Sequence, residues 1–154
     1  MNYTHNSIPT DRAYDFDAFC GGAFEAVYKI ISVSTDDEPI EYMALVGLEL
    51  TNDAKTCLID IFARFFMTNL ADLTELATGF AVIDWEEVGC SFVVDVERAG
   101  DGLRALYMKV PADEAGLVRN LGNKLADLAS KVGEINLYMD ADTGGKVNVD
   151  RAIG

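Results

Sequence analysis

Residues 90–97 read with a period of two. Cys90, Phe92, Val94 and Val96 fall on one side, and Ser91, Val93, Asp95 and Glu97 on the other. Successive side chains of a strand point to opposite faces, so this spacing predicts a half-buried β-strand. Gly100-Asp101-Gly102 follows as a hairpin turn, with residues 103–110 as the returning strand. Residues 24–34, rich in β-branched and aromatic side chains, and the alternating residues 40–50 flank the turn Asp36-Asp37-Glu38-Pro39 as a second hairpin. Residues 80–85 read as a brief strand before a turn at Glu86-Glu87-Val88-Gly89. Ile135, Leu137 and Met139 alternate, Asp142-Thr143-Gly144-Gly145 turns the chain, and Val147 and Val149 lie on the return.

Two longer segments carry the helical period instead. Thr51-Asn52-Asp53 starts one, with Cys57, Leu58, Ile61, Phe62, Phe65 and Phe66 at helical spacing. Pro111, Asp113 and Glu114 open the other. Its apolar stripe is Leu117, Val118, Leu121, Leu125, Leu128 and Val132, with Gly133 just beyond. A short helix runs from a cap at Asn69 to Gly79, and another spans residues 16–20 before Gly21-Gly22 ends it. The expected fold class is α+β: a largely antiparallel sheet of about five or six strands built from hairpins, with two main helices packed on one face. Residues 1–13 read as a flexible tail and residues 14–154 as a single domain.

The 154 residues include 26 acids and 12 bases, for a formal net charge of −14. Half of the residues are hydrophobic, which is enough apolar surface to offset chain entropy, so the acids belong to a folded surface. They are unevenly spread: residues 1–50 carry −7, residues 51–100 carry −6 and the remainder −1. A field of this sign repels nucleic acid and anionic membranes and attracts basic surfaces. No run reaches the ~18–20 apolar residues of a membrane span. The cysteines Cys20, Cys57 and Cys90 are far apart, form no CxxC pair and have apolar neighbours. They predict buried thiols in a reducing cytoplasm.

Chemistry-bearing motifs are few. His5 is the one histidine, so a Ser-His-Asp or Cys-His arrangement needs the tail to fold into a site. Asp95 and Glu97 share a face if their segment is a strand, a pair that a divalent metal or acid–base chemistry could use. Asp140-Ala141-Asp142 begins like a calcium loop, but its twelfth position is Arg151 instead of a bidentate Glu. Gly144-Gly145-Lys146 lacks the rest of a phosphate loop.

The expected function is that of a non-enzymatic binding protein, needing no cofactor, that occludes a basic, nucleic-acid-binding surface of a partner protein as an inhibitor or nucleic-acid mimic. Asp36, Asp37, Glu38, Glu41, Asp84, Glu86 and Glu87 form its electrostatic face, with Trp85 as an apolar anchor. One alternative is a structural or chaperone-like homodimer. Phe62, Phe65 and Phe66 would form its interface, since large apolar groups around that helix exceed one core stripe. The other is a metal-dependent enzyme using Asp95 and Glu97, or Asp140 and Asp142.

Overall fold

Phe16, Phe19, Cys20, Ala23, Phe24 and Val27 recur at i, i+3, i+4, i+7, i+8 and i+11, the spacing of one helix face, and all six are buried. They belong to one helix, α1 (Ala13–Ile30); Gly21 and Gly22 lie inside it and end nothing. A computed structural model describes residues 3–35, 42–139 and 144–150. Within them the chain is mostly helical, with α2 (Asn52–Thr68), α3 (Leu70–Thr78), α4 (Trp85–Val96) and α5 (Ala112–Ser130), and 3-10 segments at Thr10–Arg12 and Leu103–Lys109. The expected hairpin-built antiparallel sheet with two covering helices is therefore incorrect.

The sheet is small and mixed. Its strands are β1 (Ser32–Thr35), β2 (Tyr42–Ala44), β3 (Leu137–Met139) and β4 (Asn148–Val149), in the order β2-β1-β3-β4. Of the first expected hairpin only Ser32–Ser34 pair with Tyr42–Ala44, since residues 24–30, expected in its first strand, belong to α1; the last is present in shortened form as β3 antiparallel to β4. β1 runs parallel to β3, and the connection between them contains α2 through α5. The middle hairpin does not form. Residues 90–96 are helical, residues 103–109 are a 3-10 segment, and residues 80–84 turn into α4.

The physical reason lies in Phe92-Val93-Val94. A continuous apolar run satisfies a period of two as well as a period of 3.6. Buried Trp85, Val88, Gly89, Phe92, Val93 and Val96 decide for the helix. Asp84 decides its start: the carboxylate accepts the Glu87 N–H at 2.8 Å, the bond of an N-cap. Thr51 caps α2 as expected, its Oγ1 accepting the Ala54 N–H at 3.0 Å. α3 follows Asn69 and stops at Gly79.

The core is aromatic. Phe92 of α4 stacks on Phe65 of α2 with centroids 4.2 Å apart, and meets Phe62 edge-on at 6.1 Å and Phe19 of α1 at 5.5 Å. Phe66 joins Phe16, Phe19 and Trp85. Tyr3 stacks on Phe24 at 4.9 Å. Among the described residues, no helix is long and apolar enough to cross a membrane.

α1 and α4 cross backbone on backbone. A Cβ added at Gly22 would lie 1.8 Å from the Glu86 carbonyl oxygen, and one at Gly89 would lie 2.0 Å from the Phe19 carbonyl oxygen. Backbone cannot retreat as a flexible side chain can, so both positions require glycine. At Gly21 an added Cβ meets nothing within 4 Å. Gly22→Ala and Gly89→Ala should each lower unfolding free energy by about 3 kcal/mol through overpacking. Gly21→Ala should raise it by up to ~1 kcal/mol through helix propensity. Urea denaturation measures both, and equal effects at Gly21 and Gly22 would contradict the crossing.

Candidate functional site

The glycine crossing brings Glu25 of α1 to the first turn of α4. Glu25, Asp84, Glu86 and Glu87, with Cys90, Ser91 and Lys109, line a shallow cleft of about 390 Å³. Three of these carboxylates stand where the partial positive charge of a helix N-terminus favours them. Their roles differ. Asp84 spends an oxygen on the cap, Glu87 pairs with Lys109, and Glu25 pairs with Lys29 at 2.7 Å. Glu86 is exposed and makes no ion pair among the described residues. The Cys90 thiol is pushed up by burial and further by the charge of Glu25, with Lys29 opposing, so it stays protonated and poorly nucleophilic.

The structure thus places the expected Asp84, Glu86 and Glu87 together and adds Glu25, which the sequence reading missed. The signal was available in the helical spacing of α1, which continues past Gly21-Gly22 and turns Glu25 outward while Phe24 and Val27 point in. Asp36, Asp37, Glu38 and Glu41 lie outside the described residues. Trp85 is 8 % exposed and packs on Phe66 with centroids 5.3 Å apart, its Nε1–H buried without an acceptor among the described residues. It anchors the chain's own core, which corrects its reading as a surface anchor. Phe62, Phe65 and Phe66 are likewise buried in ring contacts within one chain, so the apolar surface that suggested a dimer interface is used internally.

The N-terminal segment folds against α2. His5 Nε2 lies 3.2 Å from Asp60 Oδ1, and its Nδ1 lies 2.7 Å from Ser7 Oγ. Beside it is a cavity of about 440 Å³ lined by His5, Asp53, Thr56, Cys57 and Asp60, among others. Serine, histidine and carboxylate therefore stand in line, but acyl transfer also needs amides aimed at the developing oxyanion. The Ser7 N–H donates to His5 Nδ1 at 3.1 Å and the Ile8 N–H to the His5 carbonyl at 3.1 Å, so both neighbouring amides are committed. The arrangement fastens the segment to α2, where Asp60 also holds Arg64 at 3.0 Å.

Asp95 and Glu97 do not share a face. Two residues apart on a helix, they project about 200° from one another. Asp95, 6 % exposed, accepts the Leu103 N–H at 2.8 Å and the Gly102 N–H at 3.3 Å, fixing the start of the 3-10 segment. Glu97 accepts the Ile135 N–H at 2.8 Å, tying the end of α4 to the approach to β3. Among the described residues, no three His, Cys, Asp or Glu side chains are grouped to hold a metal; Asp140 and Asp142 lie outside them.

Burial raises the Glu97 carboxyl above its ordinary range, against the lowering effect of the Ile135 N–H, and Glu134 adds to the rise. The folded state then holds this proton to higher pH than the unfolded state. Its contribution to stability is present at low pH and is lost as pH rises from the ordinary glutamate value through the raised one. Glu97→Gln removes that slope. The stability of the variant relative to the parent should therefore increase with pH across this window, as read from urea midpoints in a pH series. A difference that stays flat would contradict the raised carboxyl.

No family model, no curated protein and no solved structure matches this chain.

Proposed function

We propose that this chain is a non-enzymatic, cytoplasmic binding protein whose acidic surface covers a basic, nucleic-acid-binding surface of a partner protein. The observation that carries this reading is the charge: −14 overall, with −13 in residues 1–100. The bases are largely consumed locally. Arg12, Lys29, Arg64, Arg104, Lys109, Lys124 and Lys146 each pair with a carboxylate, and Arg119 lies 4.2 Å over the Tyr107 ring. An ion pair is nearly neutral at a distance, so surplus carboxylates dominate the far field. Asp11, Asp53, Glu75, Glu86, Asp101 and Glu134 are exposed among them.

Such a field steers association toward a basic groove. A groove that grips phosphates is basic for the same reason, and its partners are bound with the same salt dependence. The thiols fit a reducing compartment. None of the three cysteines is in a disulfide, and Cys20 is buried, its thiol pushed up by desolvation and then by the charge of Asp17.

Capture on the immobilised chain followed by a salt gradient should release a basic nucleic-acid-handling protein, named by mass spectrometry and displaced by duplex DNA. Against that partner, the double variant Glu25→Lys, Glu86→Lys should bind about tenfold more weakly and show a flatter dependence of log Kd on log salt. An unchanged affinity and slope would defeat the reading.

A further inference from the structure

Helix α4 closes with the two hydrogen bonds of a Schellman end. The Ala99 N–H donates to the Val94 carbonyl at 3.0 Å, and the Arg98 N–H to the Asp95 carbonyl at 3.2 Å. Arg98 therefore takes the left-handed position, with φ of 53°, where glycine is the residue free of strain. Among the described residues no other non-glycine residue has a positive φ. The guanidinium also makes no ion pair among the described residues, in a chain with 26 acids. Strain of this kind is kept where the side chain has a use.

One hydrogen bond sets where that side chain stands. The Glu97 carboxylate accepts the Ile135 N–H at 2.8 Å, which draws the end of α4 to the approach to β3. Arg98 follows one partner of this bond and Glu134 precedes the other. Both line a cleft of about 440 Å³. Glu134 is exposed and, like Arg98, makes no ion pair among the described residues. Opposite charges are thus held at one cleft without neutralising one another.

An apolar side completes the cleft: Ile61 of α2, Val96, Val132, Ile135 and Val149. Val96, Ile135 and Val149 are at most 8 % exposed. Asp150 adds a second carboxylate, so a plain anion meets more negative charge than positive. Arg98 also borders a second cleft with Asp95, Asp101 and Arg104, but Ala126 is the only apolar side chain lining it.

A cleft of about 440 Å³ suits a small molecule. Its occupant needs an anionic group for Arg98, a cationic group for the carboxylates and an apolar body. We propose that this cleft binds a free α-amino acid with a large apolar side chain. The ligand carboxylate meets the Arg98 guanidinium, its ammonium meets Glu134, and its side chain lies over Val96, Val132 and Val149. A guanidinium matches a carboxylate through two parallel N–H donors. The proposal is independent of the binding of a basic partner.

Titration calorimetry of the intact chain with L-phenylalanine tests it, beside 3-phenylpropionate, which lacks the ammonium, and phenethylamine, which lacks the carboxylate. Phenylalanine should bind with a Kd of about 1 mM or tighter. Each of the other two should bind at least about tenfold more weakly. Arg98→Gly separates a binding role from a structural one. Glycine suits the left-handed position, so the variant should melt at the same or a higher temperature, yet bind phenylalanine at least about tenfold more weakly. Glu134→Gln should weaken phenylalanine about fivefold and leave 3-phenylpropionate unchanged. Phenylalanine binding equally to Arg98→Gly and the parent would overturn the proposal, as would 3-phenylpropionate binding as tightly as phenylalanine. So would a chain that binds neither phenylalanine nor leucine. A chain ending at Asp150 that binds phenylalanine when the full chain does not would assign the cleft to residues 151–154, and that too would overturn it.

Discussion

The contact on which the rest of the structure depends is the crossing of α1 and α4 at Gly22 and Gly89. Each glycine presses its Cα against a carbonyl of the other helix, Glu86 and Phe19 respectively. This close approach lets Phe19 meet both Phe92 and Phe66, so α1, α4 and α2 share one aromatic core. The principle recurs outward from α4. Gly102 sits where a Cβ would lie 2.2 Å from the Ser91 carbonyl oxygen, and Gly122 of α5 where one would lie 2.3 Å from that of Leu103. The 3-10 segment between α4 and α5 is held by backbone contact on both sides, and the buried carboxylate of Asp95 pins its first amides. A side chain at any of these positions would part elements that the core requires to touch.

These glycines also explain how far the fold was legible in the sequence. Gly21-Gly22 is an ordinary signal for a helix end, since glycine disfavours helix interiors. Tertiary packing overrode it: the helical spacing of the apolar residues from Phe16 to Val27 runs unbroken through the pair. Segments with a single clear period were placed at the right positions. Thr51 caps α2; Asn69 and Gly79 bracket α3, although the Asn69 side chain donates back to the Phe65 carbonyl instead of capping. In α5, Val118, Leu121 and Leu125 of the expected stripe are buried, whereas Leu117 is exposed and Val132 lies beyond the helix, also exposed. The error over residues 90–97 came from an apolar run that fits both periods, and the preceding cap, Asp84, was the residue able to decide. The middle hairpin fell with it, because Gly100-Asp101-Gly102 turns the chain equally well after a helix.

The candidate site was legible in part for the same reason. Acids beside one another in sequence, Asp84, Glu86 and Glu87, could be found as a run, whereas Glu25 joins them only through the crossing. Likewise His5 could not be placed from spacing, because its partner Asp60 is 55 residues away. Long-range juxtaposition is set by packing, and periodicity speaks only to which side of an element a residue occupies.

The first turns of α4 show how one short sequence supports both core and surface. At about 100° per residue, successive side chains leave a helix in different directions. Asp84 turns back to cap the helix, Trp85 enters the core against Phe66, Glu86 faces solvent and Glu87 reaches Lys109. Val88 and Gly89 return to the buried side, Gly89 at the crossing itself. The acids are thereby fixed by the same packing that holds the fold, and they sit at the helix end whose dipole lowers the cost of crowding negative charge. A chain carrying −14 must place its carboxylates where mutual repulsion is least damaging. Anchoring them on a helix start, between a buried indole and a backbone crossing, keeps the charge concentrated and its position fixed, which is the arrangement the proposed binding of a basic surface calls for.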